Sequence, residues 1–100
     1  MKVDLMILNV MKYQKDGEAK SRLGYIIIEP TAFVDSEKFK GYSELSSYSN
    51  DTKFYDLIPI EFIGQRCKAE IVEKSSPQNP LKTYKEIGSI ECNGKTIHLV

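Results

Sequence analysis

The pattern of polar and apolar positions is most readily interpreted at the end of the chain, where Ile87-Gly-Ser-Ile-Glu-Cys92 and Lys95-Thr-Ile-His-Leu-Val100 flank Asn93-Gly94. Asn and Gly tolerate the positive φ that a type I′ turn requires at both central positions, so this segment is expected to be a two-residue β-hairpin. In that register Ile90 faces Ile97 and Gly88 faces Leu99 on an apolar side. Glu91 faces Thr96 and Ser89 faces His98 on a wet one.

The rest of the chain carries strand patterns of the same kind. Lys2 to Tyr13 is apolar on both phases, Val3, Leu5 and Ile7 on one and Met6, Leu8 and Val10 on the other, as in a central strand covered on both faces. A polar loop, Gln14 to Ala19, surrounds the turn dipeptide Asp16-Gly17. Lys20 to Glu29 is a second strand, because the β-branched run Ile26-Ile-Ile28 disfavours helix, and Gly24 within it marks a bulge or bend. From Pro30 to Thr52 the pattern admits two readings: an irregular loop, or a short helix capped by Asp35-Ser36 and carrying Phe39, Tyr42 and Leu45. Lys53 to Ile63 is read as a strand with Phe54, Ile58, Ile60 and Phe62 in phase, and Pro59 confines it to an edge or a bulge. Arg66 to Lys74 alternates with Cys67, Ala69 and Ile71 inward. The two prolines of Ser75 to Leu81 make that stretch a loop.

Five or six strands with at most one short helix, in a single domain of 100 residues, define an all-β class. The architecture they suit is a small antiparallel barrel, closed or half-closed, OB-like or SH3-like. An immunoglobulin-like sandwich is disfavoured by the lack of tryptophan and by strands of uneven length.

Fourteen basic residues balance fourteen acidic ones, which excludes the strong global field of a polycationic binder. The middle of the chain is acidic and both ends are mildly basic. Cys67 and Cys92 belong to no CxxC pair and are expected to be reduced thiols; a disulfide between neighbouring strands would need an oxidising compartment. No segment reaches the ~18 apolar residues of a membrane helix, and no cleavage site follows the short apolar opening, so a cytoplasmic protein is expected.

Catalytic patterns are scarce. His98 is the only histidine, placed on the wet side of the last hairpin, and the metallopeptidase, phosphate-loop and dinucleotide-binding motifs are missing. Asp35/Glu37 suits helix capping, and Glu70/Glu73 suits a solvated strand. These features argue against an enzyme, and no cofactor or metal is implied. One constellation stands out. Lys12, Tyr13 and Lys15 end the first strand while Lys20, Arg22 and Tyr25 begin the second, so a hairpin would gather four cations and two aromatic rings. Cations that neutralise phosphates, interleaved with rings that stack on any base, suit single-stranded DNA, and RNA offers the same groups. Lys82, Tyr84 and Lys85 would enlarge the patch if they lay alongside.

Ser21-Arg22-Leu23-Gly24 followed by Tyr25 resembles the Ser-Arg-x-Gly…Tyr stretch of the DNA-binding loop in the filamentous-phage single-stranded-DNA-binding, or helix-destabilising, proteins. The opening Lys-Val-Asp-Leu strand, Phe33-Val34-Asp35, the apolar stretch from Tyr55 to Phe62, the strand after Gly64 and the closing Ile87-Gly88-Ser89…Ile97-His98-Leu99-Val100 follow in a similar order. The resemblance implies an OB-like fold, a homodimer and cooperative coating of single strands during replication of a phage, plasmid or mobile element, with Arg22 and Tyr25 on the DNA. The alternative expectation is an accessory or inhibitory protein-interaction module that uses its acidic segment, Glu44 to Asp56, or a sheet edge.

Overall fold

A computed structural model describes residues 1–79 and 81–100. The loop expected over Ser75 to Leu81 includes Pro80, which lies outside the described residues. Strands β1 (Lys2–Lys15), β2 (Glu18–Ile27), β3 (Phe33–Asp35), β4 (Lys40–Tyr42) and β5 (Leu45–Ser49) are followed by one short helix, α1 (Lys53–Leu57). A 3₁₀ turn (Pro30–Ala32) precedes β3, and another (Ile60–Phe62) leads into β6 (Arg66–Ser75), β7 (Thr83–Cys92) and β8 (Lys95–His98). Six strands form one antiparallel sheet in the order β5-β2-β1-β6-β7-β8, and β3 pairs with β4 in a separate two-stranded sheet.

The fold is all-β with one short helix, OB-like and only partly closed. β1 is central, bonded to β2 on one side and β6 on the other. The sheet curls until β5 and the first half of β7 line a common groove, and among the described residues no hydrogen-bonded ladder joins them. Two hairpins of the same kind set the registers. Asp16 and Gly17 have φ of 55° and 79°, and Asn93 and Gly94 have 53° and 80°, the positive values that a type I′ turn needs. β1 and β2 therefore run straight into a two-residue turn, and the longer polar loop expected around Asp16-Gly17 does not form. In the terminal hairpin Ile90 pairs with Ile97, Glu91 with Thr96 and Ser89 with His98, while the Leu99 amide donates to the Gly88 carbonyl at 2.8 Å.

Two expectations are corrected. Lys53 to Ile63 is not a strand: Phe54, Ile58 and Phe62 are buried while Ile60 is 86% exposed. A spacing of four keeps Phe54, Ile58 and Phe62 on one strand phase, and Ile60 leaves that phase because the chain is extended at Ile58 and Pro59 and then turns through Ile60–Phe62. Proline cannot continue a helix, and α1 ends just before Ile58-Pro59. From Pro30 to Thr52 no helix forms around Phe39, Tyr42 and Leu45. Ser36 Oγ instead accepts from the Phe39 and Lys38 amides at 3.1 and 3.4 Å, closing the β3–β4 hairpin as serine does in turns. The serine-rich stretch becomes edge strand β5.

The core joins Leu5, Ile7 and Leu23 of β1–β2 to Cys67, Ala69, Ile87, Ile90 and Leu99, with Phe54, Ile58 and Phe62 packing in from the helical segment. Ser21 is the one fully buried polar side chain among the described residues. Its hydroxyl donates to the Asp51 carbonyl at 2.8 Å and accepts from the Phe54 amide at 3.2 Å, so a side chain of β2 satisfies an amide in the first turn of α1. Asp51 Oδ1 accepts from the Lys53 amide at 3.0 Å and from Ser49 Oγ at 2.7 Å, and those two donors hold its carboxyl below the usual carboxylate range.

Ser21→Ala leaves the Phe54 amide buried without an acceptor and is expected to destabilise by about 1–3 kcal/mol in denaturant unfolding; an unchanged midpoint would remove the tie. Cys67 and Cys92 are both free and buried. Burial, and secondarily the neighbouring Cys92 thiol, push the Cys67 thiol from 9.0 up to about 12. The unfolded chain thus loses this proton near pH 9 while the folded protein keeps it. The associated stability is complete below about pH 9 and declines as pH rises toward about 12. At pH 8–9, iodoacetamide is expected to modify Cys67 far faster in denaturant than in native buffer, and equal rates would place the β6 apolar phase on the surface.

Candidate nucleic-acid interface

The sequence-expected cations and rings share β1 and β2, but strand phase divides them between two faces. In an antiparallel ladder, paired residues lie on the same face. Leu5 pairs with Ile27 and Ile7 with Tyr25. The register then shifts, so that Asn9 pairs with Gly24 and Leu8 is the extra residue of a bulge. Beyond it the inward pairs are Val10 with Leu23 and Lys12 with Ser21, and the outward ones are Met11 with Arg22, Tyr13 with Lys20 and Lys15 with Glu18. Gly24 belongs to this irregularity, as expected of it, although the additional residue sits on β1. A Cβ at Gly24 would lie 2.7 Å from Asn9 Oδ1, so glycine leaves room for the Asn9 side chain.

Tyr13, Lys15, Lys20 and Arg22 are therefore brought together on the outer face. The third strand on that face is β5, where Tyr48 pairs with Arg22. These residues and Met11 line an open depression of about 450 Å³. Tyr48 is 67% exposed and presents a free ring, while Tyr13 is half-buried. Arg22 lies against the sheet with its Nε buried and without a partner. Its closest polar contact is a long one, Nη2 to Asn9 Oδ1 at 3.5 Å.

Among the described residues, no carboxylate lies within ion-pair distance of Lys15, Lys20 or Arg22. The ion pairs form elsewhere: Asp4 holds both Arg66 and Lys68, Glu86 holds Lys74, Glu61 holds Lys95 and Glu70 holds the N-terminus. Arg66, first by its hydrogen bond, keeps Asp4 below the usual carboxylate range. The outer face of β1-β2-β5 thus combines cations held in no ion pair among the described residues with exposed aromatic surface.

Lys12 and Tyr25 lie apart from that face. Lys12 Nζ sits 4.3 Å over the ring of Tyr55 in α1, and Tyr25 is half-buried against the core. The five residues Ser21 to Tyr25 divide accordingly. Ser21 secures α1, Arg22 faces out, Leu23 is core, Gly24 accommodates Asn9 and Tyr25 packs inward. Tyr48 and Met11 were missed by sequence reasoning. The available signal was the alternation Leu45-Ser-Ser-Tyr-Ser49, which permits a strand but is obscured by serines that also suit loops. Tyr84 and Lys85 do lie near the patch: with Tyr48 and Lys53 they line the groove between β5 and β7.

His98 is exposed on β8, away from any such grouping. Among the described residues no three His, Cys, Asp or Glu side chains form a cluster able to hold a metal ion, and no helix is long and apolar enough to cross a membrane. A scan of protein-family models and searches of curated proteins and of solved structures returned no match to this chain.

Proposed function

We propose that this protein is a non-enzymatic binder of single-stranded DNA that takes the strand on the outer face of β1-β2-β5, with little dependence on base identity. The observation that carries the reading is the set of cations without an ion-pair partner among the described residues, Lys15, Lys20 and Arg22, beside Tyr13 and the exposed Tyr48 in one depression. Flat strands hold these groups at fixed spacing, so cations meet phosphates while rings stack on bases. By fold analogy, OB-like barrels take oligonucleotides across the face of their second and third strands, the position that β2 and β5 occupy here. The resemblance of Ser21 to Tyr25 to the filamentous-phage single-stranded-DNA-binding proteins supports the same reading, with a replication role in a phage, plasmid or mobile element. Two buried free thiols suit a reducing cytoplasm. The contact set is Tyr13, Lys15, Lys20, Arg22 and Tyr48; Lys12 and Tyr25, on the opposite face, are left out of it.

A second reading, a protein-contact module, rests on the β3–β4 hairpin. Phe33, Val34 and Phe39 are 50%, 39% and 45% exposed there, and Phe33 meets Tyr42 edge-on at 5.4 Å. Exposed apolar side chains gathered on a two-stranded projection suit a protein contact, self-association included.

Fluorescence anisotropy with labelled oligothymidylate at several salt concentrations tests the first reading. Arg22→Ala should weaken binding to all sequences alike and reduce the slope of log affinity against log salt by about 0.7, the single-strand value for one phosphate. Tyr48→Ala should cost ~1–3 kcal/mol with the slope unchanged, because stacking releases no counterions. Absence of binding by the wild type at low salt would overturn the reading. For the hairpin, sedimentation of wild type and Phe33→Ser should show an oligomer weakened by the substitution; a wild type that remains monomeric at high concentration excludes self-association.

A further inference from the structure

We infer, resting on the reading above, that the bound strand does not end on the outer face but rounds the free edge of β5 at Tyr48 and continues into the groove between β5 and β7. Tyr48 lines both depressions, the outer one and a second of about 280 Å³ that contains Lys53, Tyr84 and Lys85. The chemistry of the first depression repeats in the second. Tyr84 is 44% exposed, and no carboxylate of the described residues lies within ion-pair distance of Lys53 or Lys85. Glu86, the acid that lines the groove, is already held by Lys74 at 2.7 Å. Positive charge beside an accessible ring, continuous with the outer face through a shared tyrosine, matches a phosphate backbone carrying stackable bases.

The groove exists because the barrel is open. β5 is laddered only to β2, and the Thr83–Ile87 part of β7 only to β6, so among the described residues no strand fills the seam. The path also selects the ligand class. A chain passing from one face, over a strand edge, into a groove must turn within a few nucleotides. Duplex DNA, with a persistence length of ~150 base pairs, cannot follow it. A single strand can, and its footprint then exceeds the few nucleotides that the outer face alone would cover, within the ~4–16 seen for OB folds.

The test compares oligothymidylates of about 4 and about 12 nucleotides, bracketing the lower part of that range, on wild type, Lys53→Ala/Lys85→Ala, Tyr84→Ala and Arg22→Ala. All the substituted side chains reach solvent, and matched melting temperatures verify folding. The double substitution should lower the salt slope for the longer oligomer by about 1.4, two single-strand phosphates, and leave the shorter one unaffected. Tyr84→Ala should weaken the longer oligomer about 5- to 150-fold, the span for one stacked base. If Arg22→Ala weakens both oligomers while the groove variants bind the longer one as wild type does, the strand stops at Tyr48 and this inference is overturned while the outer-face site stands. The seam would then be open to an extended peptide pairing with both free edges. If the wild type binds neither oligomer, both readings fall together.

Discussion

One additional residue in the central strand determines which side chains this protein presents to solvent. Without the bulge at Leu8, the phase that buries Leu5 and Ile7 would continue through Met11, Tyr13 and Lys15 and direct them to the core face. With it, Val10 takes the inward position opposite Leu23, and the Tyr13 and Lys15 side chains turn outward to meet Lys20 and Arg22. A shift of one residue reverses a strand's faces, so the apolar core and the cationic face are both products of this irregularity. Gly24 permits it, because the Asn9 side chain occupies the space a Cβ would take.

A face of this kind serves recognition only if the strands that carry it are held in register. At the turn end, Asp16-Gly17 fixes β1 against β2. At the third strand, Ser21 fixes the β5–α1 junction to β2 through two hydrogen bonds. A buried hydroxyl that satisfies both a carbonyl and an amide contributes more by preventing an orphaned group than by its own net strength, since an unmet buried donor costs about 1–3 kcal/mol. The same tie positions Tyr48, three residues before Asp51, beside Arg22. The residue adjacent to the proposed phosphate contact thus provides the anchor for the strand that supplies the stacking ring.

Zero net charge is compatible with a phosphate-binding face because the acids are unevenly engaged. Asp4, Glu61 and Glu70 pair with cations or the N-terminus elsewhere, Glu86 in the β5–β7 groove is held by Lys74, and Asp51 is absorbed by its own turn. The cations on the β1-β2-β5 face and in the β5–β7 groove have no such partners among the described residues. At physiological salt the screening length is about 8 Å, so a strand lying on this face responds chiefly to the charges beside it and only weakly to the balance of the whole molecule.

The sequence by itself determined the all-β class, the terminal type I′ hairpin, the pairing of Ile90 with Ile97 and the inward phase of Cys67 and Ala69, because turn chemistry and period-two alternation act over a few residues; that Asp16-Gly17 closes an equally tight turn in place of a longer loop was decided by the pairing of Lys15 with Glu18. The sequence also brought Lys15, Lys20 and Arg22 into one hairpin. It did not distinguish a strand from the short helix and 3₁₀ turn between Phe54 and Phe62, because Phe54, Ile58 and Phe62 keep one strand phase and only packing decides. Nor did it reveal β5, because a serine-rich edge strand takes its partner from β2 rather than from its own pattern. Only the tertiary structure separated Tyr13 from Lys12 and Arg22 from Tyr25, and only it added Tyr48. A bulge is a property of two paired strands: the residues of β1 do not record which of them will be left unpaired until β2 lies against them.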